Sequence, residues 1–137
     1  MTKERLADLA KGAMKNAYAP YSGYTVGAAL LCDDGTVYLG SNVENASYGA
    51  TNCAERTAFF KAVSEGKRRF SAIAVCGGKA GVVNDGFPPC GVCRQVMREF
   101  CADDFTVYVV SSKGIDTHTL KELLPHSFGP SQICEKS

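Results

Sequence analysis

Apolar and polar positions alternate along this chain with two different periods. Behind Thr2, a side chain suited to capping a helix start, Leu6, Leu9, Ala10, Ala13 and Ala17 recur on one face at helical spacing, and Pro20 ends the run. From Thr25 to Cys32 (TVGAALLC) the pattern becomes short and apolar. Asp33-Asp34-Gly35 is turn chemistry, and Thr36 to Val43 (TVYLGSNV) resumes the strand pattern, so the two runs predict a β-hairpin. Ala54 to Ser64 returns to helical spacing, with Thr57, Ala58 and Val63 on its buried stripe and Gly66 as its stop. Phe70 to Cys76 reads as a buried strand followed by a Gly-rich loop. Gly91 to Cys101 reads as a helix and Phe105 to Ser111 (FTVYVVS) as a β-branched and aromatic strand. Leu120 to Leu124 makes a short helix before Pro125. Gly129-Pro130 should prevent another helix, and the tail from Gly129 should be loosely held. Strands that alternate with helices in the second half require part of the sheet to be parallel.

Composition narrows the class. The chain has 137 residues, 45% of them hydrophobic, and a formal net charge of +1, with no repeat, low-complexity tract or linker, which predicts a single domain over 1–137. Its charges are mixed. The basic triplet Lys67-Arg68-Arg69 follows Gly66 and reads as a solvated loop, so neither a nucleic acid nor a membrane surface is an expected partner. No segment has the length of apolar residues that spans a bilayer, and Met1 to Leu9 lacks the apolar stretch of a secretory signal, so a cytoplasmic protein is expected.

Seven cysteines are an odd set without the spacing of a disulfide framework, which leaves reduced thiols or metal ligands. Cys32, Cys76 and Cys101 stand among apolar neighbours as inert buried thiols, and Cys134 lies in the tail. Cys53, Cys90 and Cys93 differ. Pro88-Pro89 imposes an extended approach that puts Cys90 and Cys93 on the first turn of a helix, and Cys53 directly precedes the helix at Ala54. Unpaired N–H groups and the positive end of the helix dipole stabilise thiolate there. Two helix starts converging would offer one cation three thiolates, and three protein ligands instead of four leave zinc an open position for water. Glu55, two residues past Cys53, is placed to act on that water as general base and acid. Arg56 is the cation that would offset three thiolates, and Gln95 is expected behind the ligands with it.

Zinc deaminases of nucleobases carry His-x-Glu followed by Pro-Cys-x-x-Cys, with a three-cysteine variant. This chain has Cys53-Ala54-Glu55 and Pro89-Cys90-Gly91-Val92-Cys93. Over nearly its whole length it resembles the small homotetrameric cytidine deaminases. The segments "YAPYSGYTVGAALL", "NVENASYG", "CAERTA", "KAVSEG", "PPCGVCRQVMREF" and "ELLPHSFGP" carry the likeness from Tyr18 to about Gly129. The resemblance implies an α/β three-layer fold, with a mixed five-stranded sheet between helices and both cysteine-bearing helices on one side. It implies one zinc per subunit and hydrolysis of cytidine or 2′-deoxycytidine to the uridine and ammonia, in pyrimidine salvage. Asn42 and Glu44 would then hold the ribose hydroxyl. Tyr24, at a position that is usually Phe, would pack on the substrate. Ala46, Tyr48 and Phe128 would reach a neighbour's pocket in a homotetramer with shared active sites.

Two rival readings follow from the same motifs. A blasticidin-type deaminase of modified aminopyrimidine nucleosides has similar cysteines but lacks the carboxylate at the position of Glu44. A non-catalytic zinc-stabilised binding module needs a fourth ligand, yet His118 and His126 lack ligand spacing, and it gives Glu55 no task.

Overall fold

The computed structural model describes residues 1–134. Helix α1 (Lys3–Ala13) starts where the Thr2 side chain accepts a hydrogen bond from the Arg5 N–H at 3.1 Å. It stops well short of Pro20. A single 3₁₀ turn, Met14–Asn16, follows, and Ala17 is already extended, because the next residue, Tyr18, pairs its backbone with Val43.

Strands β1 (Tyr24–Cys32) and β2 (Val37–Ser41) form the expected hairpin, with Gly35 at its turn at φ 91°. Then come α2 (Ala54–Ser64), β3 (Phe70–Lys79), α3 (Gly91–Phe100) and β4 (Thr106–Ser111). The crossover through α3 makes β3 and β4 parallel, as the strand–helix alternation requires. Strand β5 (Gly114–Thr119), the fifth strand that the resemblance implies, was not located by the hydrophobic pattern. Its sequence, GIDTHT, has almost no apolar alternation, because it is an edge strand that pairs only with β4 and buries little. Helix α4 (Leu120–Leu123) follows behind a Thr119–Glu122 capping box.

The sheet runs β2-β1-β3-β4-β5 and is mixed. Helix α1 covers one face, where Leu6, Ala10 and Met14 meet Ala29, Ala74 and Val110. Helices α2 and α3 cover the other, where Ala58, Phe59, Cys93 and Met97 meet Ala28, Leu30, Ile73 and Val107. The result is the expected three layers, with both cysteine-bearing helices on one side. Alternate residues of β1 serve opposite faces, which is the period-two pattern of a strand buried on both sides.

Helix α2 is turned differently from its predicted stripe. Ala54, Glu55, Ala58, Phe59 and Ala62 are buried, while Thr57 and Val63 are half-buried. The reason lies opposite, at Gly40 of β2. A Cβ there would fall 2.2 Å from the Ala54 carbonyl oxygen and 2.6 Å from the Ala58 nitrogen, so the helix seats its Ala54–Ala58 edge directly on the strand backbone. Phe59 then fills the space beside it, its ring 5.1 Å from that of Phe70 and 6.0 Å from that of Phe105.

The tail is better held than its sequence suggests. Gly129 and Pro130 are buried, and Gly129-Pro130 starts a 3₁₀ turn (Pro130–Gln132), since proline suits a first helical position. A Cβ on Gly129 would lie 2.9 Å from the Arg98 guanidinium carbon, so a larger residue would require that side chain to shift. The remainder of the tail, 135–137, lies outside the described residues. No helix among the described residues is long and apolar enough to cross a membrane.

Gly40→Ala should therefore destabilise the fold by about 1–3 kcal/mol or more, because the added methyl meets backbone that cannot rotate away. It should also weaken metal retention by displacing the start of α2. Gly12→Ala, whose added methyl meets nothing within 4 Å, should be neutral or slightly stabilising in the same thermal-unfolding measurement.

Candidate active site

Helices α2 and α3 start side by side at the rim of the sheet. Cys53 is the residue that caps α2, Cys90 caps α3, and Cys93 lies in the first turn of α3. Both capping residues are extended, Cys53 at φ −78°, ψ 157° and Cys90 at φ −70°, ψ 168°, so the sulfurs stand at the two helix starts. The Cys53 and Cys90 sulfurs are 3.7 Å apart, those of Cys90 and Cys93 are 3.6 Å apart, and all three lie within 4.8 Å of one another. Zinc bonded tetrahedrally to sulfur at about 2.3 Å requires sulfurs roughly 3.8 Å apart, so the donor set fits that ion. Among the described residues this is the one cluster of metal-ligating side chains, and neither His118 nor His126 joins it.

The electrostatics favour a cation. The Cys53 thiol is lowered to about 5, first by a hydrogen bond from Cys93, against which burial works, and then by the hydrogen bond and charge of Arg56. The same hydrogen bond, with burial, raises the Cys93 thiol. A divalent cation, which binds thiolates and releases their protons, would favour the ionised form of all three. Arg56 Nη2 donates to Cys53 Sγ at 3.2 Å, the position expected for a charge that offsets thiolates. Gln95 behaves otherwise. Its Nε2 donates to the Phe128 carbonyl at 2.8 Å, so it ties the C-terminal segment to α3 and not to a sulfur.

Glu55 is 4% exposed. Burial pushes its carboxyl up to about 7, and the neighbouring Cys53 charge adds to the rise. It lines, with Cys53 and Cys90, a cleft of about 380 Å³, a volume in the range of small-molecule sites. Tyr24, Val26, Phe87 and Pro88 give this cleft apolar walls.

Asn42 and Glu44 form its polar side. The Asn42 amide is already engaged: its Oδ1 accepts from the Val26 N–H at 2.8 Å, and its Nδ2 donates to the Tyr24 carbonyl at 2.9 Å. It therefore fixes the start of β1 and presents only its second N–H. Glu44 Oε1 accepts the backbone N–H groups of Tyr21 and Ser22 at 3.0 and 3.1 Å, and Oε2 accepts the Ser22 hydroxyl. These bonds, that of the Ser22 hydroxyl foremost, hold the Glu44 carboxyl below its ordinary value.

Sequence reasoning missed Phe87 and Ser22 as lining residues. For Phe87 a signal existed in Gly77, inside a strand pattern: a Cβ there would meet the Phe87 ring at 3.1 Å, and glycine within a strand marks a close approach. The Phe87 ring also lies 6.2 Å from that of Tyr24. Ala46, Tyr48 and Phe128 do not line the cleft of their own chain. All three are exposed, Tyr48 at 75% with its ring edge-on to Tyr21 at 6.0 Å, and Phe128 at 59%. Cys32, Cys76 and Cys101 are buried as expected. Burial raises their thiols, to about 11 for Cys76 and about 12 for Cys101.

Convergent thiols at two helix starts, a buried carboxyl beside them and an apolar cleft above define a zinc-centre protein with a small-molecule site. A sequence profile described as the cytidine and deoxycytidylate deaminase zinc-binding region matches residues 1–109. Cytidine deaminase of Sporosarcina psychrophila is 50% identical over 134 residues, covering 97% of this chain and 96% of that protein. The cytidine deaminase of Halalkalibacterium halodurans is 53% identical over 129 residues, covering 93% and 95%. The crystal structure of cytidine deaminase from Burkholderia pseudomallei superposes with a TM-score of 0.85 at 45% identity, covering 93% of this chain and all of that one. The chain belongs to the cytidine and deoxycytidylate deaminase family, and zinc is its metal.

Purified protein should carry one zinc per chain by elemental analysis. Cys90→Ala should lose most of it, because two remaining thiols cannot close the site. A variant that kept zinc at one per chain would exclude Cys90 as a ligand.

Proposed function

We propose that this chain hydrolyses cytidine and 2′-deoxycytidine to uridine and 2′-deoxyuridine with release of ammonia, and that Cys53, Cys90 and Cys93 hold the zinc while Glu55 moves the protons. The observation that carries this reading is Glu55 itself, a carboxyl buried beside Cys53 and raised to about 7 by that burial. A binding module has no use for such a group, whose burial costs stability. A glutamate at Glu44 also separates this reading from the blasticidin type.

Zinc, when bound, supplies a Lewis acid that brings the pKa of a coordinated water near 7. Deamination then needs a proton carrier on the same side of the base. Glu55 would take the proton that water gives up as its oxygen joins C4 and pass it to ring N3, then take the proton left on that oxygen and deliver it to the amino group, which leaves as ammonia as the C–N bond breaks and the C4 carbonyl forms. A carboxyl near neutrality both accepts and gives protons, whereas an exposed glutamate would be a weak base. Arg56 offsets the negative charge of the three thiolates. Tyr24, Val26 and Phe87 exclude water from the flat base, and Asn42 and Glu44 hold the ribose.

The whole chain, 1–137, is taken as one deaminase domain. Its free thiols and nucleoside substrate accord with cytoplasmic pyrimidine salvage. The assembly we propose is a homotetramer in which Ala46, Tyr48 and Phe128 reach a neighbour's cleft. Two observations support it: Tyr48 and Phe128 are large, apolar-faced and exposed, and a second recess beside Tyr21, Glu44 and Tyr48 adjoins the first.

Following the loss of cytosine absorbance with cytidine as substrate tests the activity directly. Glu55→Gln should keep its zinc while turnover falls by about 10²–10⁴-fold, and near-normal turnover would remove Glu55 from the chemistry. Phe128→Ala should raise KM with zinc retained. Refolding it together with inactive Glu55→Ala should regenerate some intact sites, with activity above the sum of the parents. A fully active wild-type monomer, or merely additive mixtures, would refute the shared site.

A further inference from the structure

The carboxylate of Glu44 has four lone-pair directions, and the chain occupies three of them. Oε1 accepts two backbone N–H groups, from Tyr21 and Ser22, and Oε2 accepts the Ser22 hydroxyl. One direction on Oε2 remains. Both Glu44 and Ser22 line the cleft, so this last acceptor is available to a substrate there.

The Ser22 hydroxyl has no freedom to turn. Its oxygen accepts the Tyr24 N–H at 3.0 Å, which leaves its own proton to be donated to Glu44. The bonds run one way, from the Tyr24 backbone through Ser22 to Glu44. They join the aromatic wall that would face the base to the carboxylate that would face the sugar, across a separation of about twenty residues in sequence between Tyr24 and Glu44. The same hydroxyl is the foremost cause of the lowered Glu44 carboxyl, in keeping with a bond donated to its ionised form.

We infer that Ser22 is a positioning residue for sugar recognition: its hydroxyl orients the Glu44 carboxylate so that a single Oε2 lone pair meets a ring hydroxyl of the nucleoside, and it ties that geometry to Tyr24. The inference rests on the reading of Glu44 as the ribose contact. Ser22 itself touches no reacting atom. It selects for substrates that bear a sugar hydroxyl, and it leaves the metal chemistry alone.

The test compares cytidine with 2′,3′-dideoxycytidine, which keeps the base and the furanose but lacks both ring hydroxyls. Ser22→Ala should lower kcat/KM for cytidine roughly tenfold or more, mainly through KM, as expected when a hydrogen-bonded charged contact is disordered. It should leave kcat/KM for dideoxycytidine, zinc content and melting temperature close to wild type. Ser22→Thr, which restores a hydroxyl, should recover the preference for cytidine. Adding Ser22→Ala to Glu44→Ala should cost little more than Glu44→Ala alone, because the two act as one unit. Equal losses on both substrates, or a double variant in which the effects multiply, would overturn the role given to Ser22. A Glu44→Ala variant that kept full preference for cytidine would overturn the sugar reading, and the inference with it. Loss of preference in Glu44→Ala but not in Ser22→Ala would overturn the inference alone.

Discussion

At one point, Gly40, helix α2 rests on the sheet backbone to backbone. Gly40 offers bare backbone to the Ala54 carbonyl and the Ala58 nitrogen, and everything about the site follows from that closeness. The start of the helix comes to the rim of β2, so Cys53 caps it at the surface while Glu55, two residues on, is turned inward and buried. On the same face α3 packs Cys93 and Met97 into the core shared with α2, and this brings its own capping cysteine within 3.7 Å of Cys53. Had a larger residue stood at position 40, the two helix starts would not meet at the spacing one zinc ion requires.

Burial at this point works against stability and for chemistry. Dehydration of this corner disfavours the charged form of Glu55, and the Cys53 charge adds to the effect, so Glu55 holds its proton to about 7. The fold supplies partial compensation from the N–H groups of two helix starts and from the guanidinium of Arg56. Such a cluster is poorly satisfied without a cation, which is why metal affinity and fold are coupled here.

The polar wall of the cleft depends on a different device. The turn from Tyr21 to Ser22, the start of β1 and the chain beyond β2 lie far apart in sequence. Asn42 and Glu44 join them by side-chain bonds to the backbone, Asn42 to Val26 and Tyr24, Glu44 to Tyr21 and Ser22. These side chains therefore do structural work as well as facing the cleft. Their preorganisation is the feature that a substrate sugar would exploit, since the protein has already paid the entropy of ordering them.

Much of this was legible in the sequence, because it depends on neighbours along the chain. Helical spacing and the Gly66 stop located α2 to the residue, Asp33-Asp34-Gly35 located the hairpin, and three cysteines at helix starts with Glu55 beside one of them marked the metal centre. Edge strand β5 escaped because a strand bonded on one side need not carry an apolar pattern, and the buried face of α2 was misjudged because the gap at Gly40 sets it, not the helix's own composition. The tail looked loose because Gly129-Pro130 suggests a break, yet hydrogen bonds from Gln95 to the Phe128 carbonyl and from Arg98 to the Ser127 hydroxyl hold the segment to α3. Ser22 entered the cleft only through folding, and Phe87 left no trace beyond the glycine at Gly77. Local periodicity and capping determine which elements form, since hydrogen bonds within a helix or turn are short-range; the walls of a cleft are decided by which distant segments pack together, and no spacing along the chain records that.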